Sequence, residues 1–111
     1  MNLNIERAEM NGNRYVLTLH GEVDAFTAPE LKNELLPLTE KDHAIVTLDL
    51  SGTEYMDSTG LGVIIAGLKS AKQHNSSLEI QGMTPRVERL FQITGLMEIL
   101  KGDEAVKGEQ R

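Results

Sequence analysis

Two adjacent hydroxyl groups, those of Ser58 and Thr59, lie in the segment YMDSTGLGV after an acidic residue and ahead of two glycines. Such a hydroxyl could act as a nucleophile, receive a phosphate or cap a helix. A serine-hydrolase nucleophile elbow has the pattern Gly-x-Ser-x-Gly, but Met56 stands two residues before Ser58, so only the second glycine fits. The segment therefore does not predict a serine hydrolase.

Residue types and spacings also argue against a phosphate-binding loop and a metal site. In GVIIAGLKS, Leu68 separates the last glycine from Lys69, whereas a phosphate-binding loop needs Gly-Lys-Ser. The chain has no cysteine, and no two of its three histidines have the i, i+4 spacing of metal ligands on one helix face. Asp24, Asp49 and Asp57 could converge on a cation, but turns and helix caps explain them more simply. We predict that the protein is not an enzyme and needs no metal or cofactor.

The glycines after the hydroxyls favour a docking and phosphorylation site over a plain helix cap. Either Asp57 or Ser58 could be the cap. A cap does not explain Gly60 and Gly62, each of which costs about 1 kcal/mol relative to alanine inside a helix. A glycine-lined helix start is accessible to another protein, and a phosphate there is expected to meet free amides. Its added charge of about −1.5 to −2 should weaken an interface without changing the fold.

Charge and hydropathy narrow the possible partners. The net charge is −6, whereas a nucleic-acid-binding surface needs a basic stripe, so we expect no direct contact with nucleic acid. The start MNLNIERAEM has no signal-peptide pattern, and no later run reaches the roughly 18 to 20 apolar residues of a membrane span. We expect a cytoplasmic protein with one domain over residues 1–111, consisting of a core of about residues 3–100 and a polar tail at 101–111.

The strand patterns predict a sheet that begins with a hairpin. LNI and YVLTL alternate apolar and polar residues on either side of Asn11-Gly12, a pair suited to a tight turn. IVTLDL and SLEIQ show the same alternation, which gives the sheet one apolar and one more polar face. MEIL is a candidate for a last short strand. We therefore expect four to five strands.

The first helix has a recognisable start. Thr27 and Glu30 have the spacing of a capping box, and Phe26 and Leu31 have that of a hydrophobic staple. Pro37 is expected to kink or shorten this helix near its end.

The second helix is predicted to start within YMDSTGLGV and to run to about Gln73. Val63, Ala66 and Gly67 widen its apolar surface, which indicates either deep burial or an edge for docking. Its predicted core-facing residues are Leu61, Ile64, Ile65 and Leu68.

A third helix is predicted between Thr84, as its cap, and Gly95, as its terminator. Strands that alternate with helices after an initial hairpin indicate an α/β fold with right-handed crossovers and a mixed sheet, with helices packed on one face. Ser58 then follows the strand IVTLDL, and the turn GEVDAFT follows the second strand. Both lie where α/β sheets tend to form binding surfaces.

Three segments together resemble the anti-sigma-factor antagonists, single-domain bacterial members of the STAS (sulphate transporter and anti-sigma antagonist) family. These are GEVDAFTAPELKNELL, YMDSTGLGVIIAGLK and RVERLFQITGL. The resemblance covers about residues 3–100 and is closest to the general-stress branch. It implies that the unphosphorylated protein binds an anti-sigma factor, an ATP-using serine kinase, and so frees a sigma factor. A serine phosphatase is the second expected partner.

The resemblance also implies residue roles. Ser58 is the expected phosphorylation site, with Thr59 as a weaker second acceptor. Asp24 is expected beside the serine, where it helps to engage the kinase, and Gly60 and Gly62 are expected to permit close docking. The predicted partner-binding set is Asp24, Asp57, Ser58, Thr59, Gly60, Gly62 and Val63. A STAS scaffold, or a module that binds a small ligand without a phosphorylation switch, is the alternative.

Overall fold

Four strands and three helices make up the part of the chain that the computed structural model describes, residues 2–97. They follow one another as β1 (Leu3–Glu9), β2 (Arg14–Val23), α1 (Ala28–Thr39), β3 (Ile45–Met56), α2 (Ser58–Gln73), β4 (Ser77–Gln81) and α3 (Pro85–Thr94). The strand order is β1-β2-β3-β4, with an antiparallel first pair and parallel neighbours thereafter. The predicted α/β fold with a mixed sheet is confirmed. The tail at 101–111 and, apart from Met97, the strand expected at MEIL lie outside the described residues.

The hairpin between β1 and β2 forms at the predicted turn. Gly12 has a φ of +66°, a conformation that glycine adopts without steric cost, and the amide of Met10 donates to the carbonyl of Arg14 at 2.8 Å. The pairing then continues from Glu9 opposite Tyr15 along the whole of β1. This turn therefore sets the register of the antiparallel pairing between β1 and β2, at one edge of the sheet.

The two crossovers that contain α1 and α2 connect neighbouring parallel strands in the same direction. Right-handed connections therefore place both helices on one face of the sheet, where they pack against each other. The inward face is apolar, and its apolar strand residues with no exposed surface are Leu17, Leu19, Val23, Val46, Leu48 and Leu50. The opposite face is more polar, as predicted. No helix within residues 2–97 combines the length and hydropathy that a membrane span requires.

The buried side of α2 differs from the predicted one. Leu61 and Ile64 are buried as expected, but Ile65 and Leu68 are only half-buried. The core-facing side is centred instead on Gly60, Gly67 and Ala71, and an added Cβ at Gly67 would lie 2.8 Å from Cδ2 of Leu35. Small residues therefore occupy the line of closest approach, and the larger apolar residues flank it.

The side-chain contacts predicted for the start of α1 are wrong. Thr27 has helical backbone angles and makes no side-chain cap hydrogen bond. Its hydroxyl donates to the carbonyl of Glu22 at 2.8 Å and accepts from the amide of Asp24 at 2.9 Å. Phe26 is 86% exposed while Leu31 is fully buried, so they form no hydrophobic staple.

The starts of the other two helices and the end of α3 agree with the sequence patterns. The hydroxyl of Thr84 accepts a hydrogen bond from the amide of Val87 at 3.3 Å, and Gly95 ends α3 with a φ of +82°. The helix α2 has the predicted bounds, and α1 ends at Thr39, soon after Pro37.

The two glycines near the start of α2 should respond oppositely to alanine. At Gly60 an added Cβ would lie 2.7 Å from Cγ1 of Val23, and a buried β-branched side chain cannot easily move away. We expect Gly60→Ala to lower the free energy of unfolding by roughly 1–3 kcal/mol. Urea titration followed by far-UV circular dichroism measures the change.

Gly62→Ala is the matched control. Apart from the adjacent residues and the helix's own backbone, no atom of residues 2–97 lies within 4 Å of an added Cβ there. Losing the backbone freedom of glycine should therefore raise the free energy of unfolding by up to about 1 kcal/mol. Changes of the same sign in both variants would contradict the packing role assigned to Gly60.

Candidate functional site

The loops that follow β2 and β3 leave the sheet side by side. The two strands pair in parallel as far as Val23 and Met56, and the amide of Asp57 donates to the carbonyl of Val23 at 3.2 Å. Residues 24–27 and the start of α2 therefore lie at the same edge of the sheet. This is the arrangement that the parallel topology predicts for two binding loops.

Asp57 caps α2. Its backbone is extended, with φ −112° and ψ −171°, and its Oδ1 accepts hydrogen bonds from the amides of Thr59 at 2.9 Å and Gly60 at 3.3 Å. Its carbonyl accepts the first helical bond, from Leu61 at 3.1 Å. Of the two candidate caps that the sequence offered, the helix uses the carboxylate.

Ser58 is consequently left without a structural role. It is the first residue of α2, it is exposed, and its hydroxyl makes no hydrogen bond with any described residue. Thr59 is exposed beside it. Both hydroxyls are therefore sterically accessible to another protein.

Two amides at this helix start are not free, contrary to the sequence-based expectation. Those of Thr59 and Gly60 are already bonded to Asp57, so a phosphate on Ser58 would not simply fill an empty anion site. It would instead lie next to a carboxylate, where the two negative charges repel each other. A phosphate here would therefore make the surface strongly negative.

Three residues expected to contact a partner are buried: Gly60 and Val63 lie in the protein's own core, and Asp24 lies in the loop after β2. Gly60 packs against Val23 and Met56, and Val63 is only 8% exposed. The close approach that Gly60 permits is that of α2 to the ends of β2 and β3. Gly62 is exposed, with open space around it.

The outward side of α2 is small and apolar near its start. At 100° per residue, Ser58, Gly62 and Ile65 share one side, with Lys69 at its far end. Ser58 and Gly62 are exposed and Ile65 is half-buried. We call Ser58, Gly62 and Ile65 the outer face of α2.

Asp24 organises the neighbouring loop. It is 8% exposed, and its Oδ1 accepts hydrogen bonds from the amides of Phe26 at 3.0 Å and Thr27 at 3.1 Å and lies 3.2 Å from the hydroxyl oxygen of Thr27. Burial acts to raise the pKa of the Asp24 carboxyl, but hydrogen bonds from Thr27 and Phe26 outweigh it and hold this pKa below its usual value. Asp24 is thus ionised and fixed, and it shapes the loop that follows β2.

Sequence reasoning missed the exposure of Phe26. The chain has only two phenylalanines, and Phe91 is fully buried whereas Phe26 is 86% exposed. An apolar residue one position before a helix start matches the staple pattern, and that pattern suggested burial. The competing signal is Asp24, which can accept a bond from the amide two residues later in a tight turn.

A separate open cleft of about 830 Å³ lies near the same edge, between the end of β3 and the start of α3. Its charged residues are Glu22, Asp24, Glu54 and Arg86. Within residues 2–97, no three His, Asp or Glu side chains are grouped so that they could hold a metal ion. Among the described residues, neither histidine nor lysine lines this cleft.

The chain is similar in sequence and fold to several known proteins. The family model described as "Mlab, STAS domain" matches residues 6–101. The anti-sigma-B factor antagonist of Listeria monocytogenes is 41% identical over 101 residues, which cover 91% of this chain and 89% of that protein.

Two solved structures have a similar fold. An anti-sigma factor antagonist from Mycobacterium paratuberculosis has a TM-score of 0.78 at 21% identity, covering 88% of this chain and 82% of that chain. The Bacillus cell-fate determinant SpoIIAA in its phosphorylated form has a TM-score of 0.68 at 15% identity, covering 86% of each chain.

The different roles of Asp57 and Ser58 can be tested by measuring the free energy of unfolding of variants at each position. Asp57→Ala should lower the free energy of unfolding by about 1 kcal/mol, the usual effect of losing an N-cap. Ser58→Ala should change it by no more than a few tenths of that amount, since the hydroxyl has no bonding partner among the described residues. Thermal and urea unfolding of both variants test this, and equal losses would mean that the serine shares the capping role.

The lowered pKa of Asp24 predicts an acid dependence of stability. A carboxylate whose folded pKa is depressed stabilises the protein above its unfolded pKa of about 3.9, and this stability is lost as the pH falls through the folded pKa. Asp24→Asn should therefore be less stable than wild type at neutral pH, and the difference should shrink below about pH 4. Urea unfolding from neutral to acidic pH, with Glu9→Gln at an exposed glutamate as control, measures the difference. A constant gap would contradict the assignment.

Proposed function

The chain belongs to the anti-sigma-factor antagonists of the STAS family, and we propose that it works by a phosphorylation switch at Ser58. In this proposal the unphosphorylated form binds an anti-sigma factor that is also an ATP-using serine kinase. Binding releases the sigma factor which that kinase holds. Phosphorylation of Ser58 ends the binding, and a serine phosphatase restores it.

The exposure of Ser58 is the observation that carries the proposal. A kinase must reach the hydroxyl oxygen, and this hydroxyl is exposed at the first position of α2 and is not used by the helix cap. The same exposure makes a phosphoserine accessible to a phosphatase. Thr59 is also exposed and remains the candidate for a secondary acceptor.

The proposed effect of the phosphate is electrostatic and steric, not conformational. A phosphate at Ser58 would add about −1.5 to −2 charges at the centre of a surface that already carries Asp57. Burying that charge against a partner without compensating cations costs several kcal/mol. Because Ser58 and Gly62 lie outside the core, the modified protein can keep its fold while losing affinity.

The proposed contact surface is smaller than the set expected from sequence. It comprises the outer face of α2 together with Asp57 and Thr59, whereas Gly60 and Val63 serve the core. A flat surface around Gly62 lets a partner backbone approach Ser58 closely, which phosphoryl transfer requires. Asp24 supports this surface by holding the adjacent loop.

A small-ligand-binding module is the second candidate, and the cleft of about 830 Å³ is the observation that favours it. That cleft is open and carries three carboxylates against one guanidinium, so a cationic or strongly polar ligand would suit it. This function would not depend on Ser58, and one set of variants therefore separates the two candidates.

Binding of the anti-sigma factor encoded in the same genome should depend on charge at Ser58. We expect Ser58→Ala and the neutral, similarly shaped Ser58→Asn to bind it, and Ser58→Asp to bind at least about tenfold more weakly. Isothermal titration calorimetry measures the three affinities, and circular dichroism checks that all three variants are folded.

Incubation with the kinase and labelled ATP provides the second measurement. Wild type should become labelled. Ser58→Ala should show only slow residual labelling, which the additional substitution Thr59→Ala removes. Equal affinities of Ser58→Asn and Ser58→Asp, together with no labelling of wild type, would reject the switch and favour the ligand-binding alternative.

A further inference from the structure

Phe26 is an unusual surface residue. It is the most exposed of the large apolar side chains in the described part of the chain, at 86%, ahead of Ile93 at 74% and Met10 at 53%. Single exposed apolar residues are common and need no function by themselves. The surroundings of Phe26 distinguish it from the other two.

The backbone around Phe26 is held by hydrogen bonds. Its amide donates to Oδ1 of Asp24 at 3.0 Å, and the next amide, of Thr27, donates to the same oxygen at 3.1 Å. The hydroxyl of Thr27 ties the turn to the carbonyl of Glu22 at 2.8 Å, and the amide of Ala28 donates to the carbonyl of Asp24 at 2.8 Å. The aromatic ring is therefore presented on a fixed loop, and a partner would not have to order that backbone on binding.

The loop lies beside the proposed contact surface. It follows β2 directly, α2 follows β3 directly, and the two strands pair in parallel up to Val23 and Met56. The helices that begin at these two points, α1 and α2, also pack against each other. The loop that carries Phe26 and the start of α2 at Ser58 therefore lie at the same edge of the sheet, where one partner could cover both.

The charges around this surface indicate the chemistry of its partner. Asp57 flanks Ser58, and the exposed Glu30 stands in the first turn of α1, after Phe26. The described residues from Val23 to Glu30 and from Asp57 to Gly62 contain no lysine or arginine. A complementary surface would have an apolar pocket surrounded by basic residues.

We propose that Phe26 is the apolar anchor of the complex, inserting into a basic-rimmed hydrophobic pocket on the anti-sigma factor. This inference rests on the proposed function and adds to it the residue that supplies affinity. Aromatic side chains in desolvated pockets carry much of the binding energy of protein interfaces, and a fixed loop reduces the entropy lost on insertion. Ser58 then controls whether the surface can be buried, while Phe26 determines how tightly it binds.

The test is calorimetric titration of Phe26→Ala with the anti-sigma factor encoded in the same genome. Truncating an anchor should weaken binding roughly tenfold or more. Ile93→Ala is the matched control, because it removes a similarly exposed apolar side chain from α3, and its affinity should stay within about twofold of wild type. The folding of Phe26→Ala is checked by its unfolding midpoint, which should not fall, because the ring is 86% exposed.

A four-variant comparison separates this inference from the switch. The affinity ratio between Ser58→Asn and Ser58→Asp is measured with Phe26 and again with Phe26→Ala, and we expect the same ratio in both backgrounds. If Ser58→Asp weakens binding while Phe26→Ala binds like wild type, the anchor is rejected and the switch stands. If Phe26→Ala alone weakens binding, the anchor stands and the switch is rejected. If wild type does not bind the anti-sigma factor, both are rejected.

Discussion

The parallel pairing of β2 with β3 is the constraint on which the rest of the structure depends. It joins the antiparallel hairpin to the crossover helices and forms the centre of the core, through Leu17, Leu19, Leu48 and Leu50. Because parallel strands end at the same edge, it also brings two loops from distant parts of the sequence together. The close packing of Gly60 on Val23 and Met56 then fixes the start of α2 against the ends of both strands.

Two aspartates perform related local tasks at that edge. Asp24 bonds the amides of the loop before α1, and Asp57 bonds the first amides of α2. Each carboxylate satisfies backbone donors that a neighbouring hydroxyl or water would otherwise have to bond. The aspartates thereby leave Ser58 and Phe26 without structural duties, and both side chains are exposed.

Much of this fold could be predicted because its signals are local. Asn11-Gly12 specifies a hairpin turn, Thr84 and Gly95 mark the ends of α3, and the apolar period of α2 gives its bounds. The predictions from sequence fail where packing against a second element determines which residues are buried. Which glycine is buried depends on the approach of α2 to the sheet, which the periodicity of a single helix cannot show.

The start of α1 shows the same limit. Thr27 and Glu30 fit a capping box by spacing, but Asp24 competes for the amides and Glu22 takes the hydroxyl of Thr27. The sequence contains all these residues and does not indicate which bonds prevail. For the candidate site, Ser58 was identified by its motif, whereas the exposure of Phe26 required the structure.

The separation of Ser58 from the core also affects how quickly such a regulator could respond. A modification that leaves every buried contact in place requires no unfolding, no strand rearrangement and no slow isomerisation before its effect is felt. Under the proposed switch, the delay between a signal and the change in binding would be set by the turnover of the two modifying enzymes and by the dissociation of existing complexes. A phosphorylated reserve of the protein would stay folded and could re-enter binding as soon as the phosphate is removed.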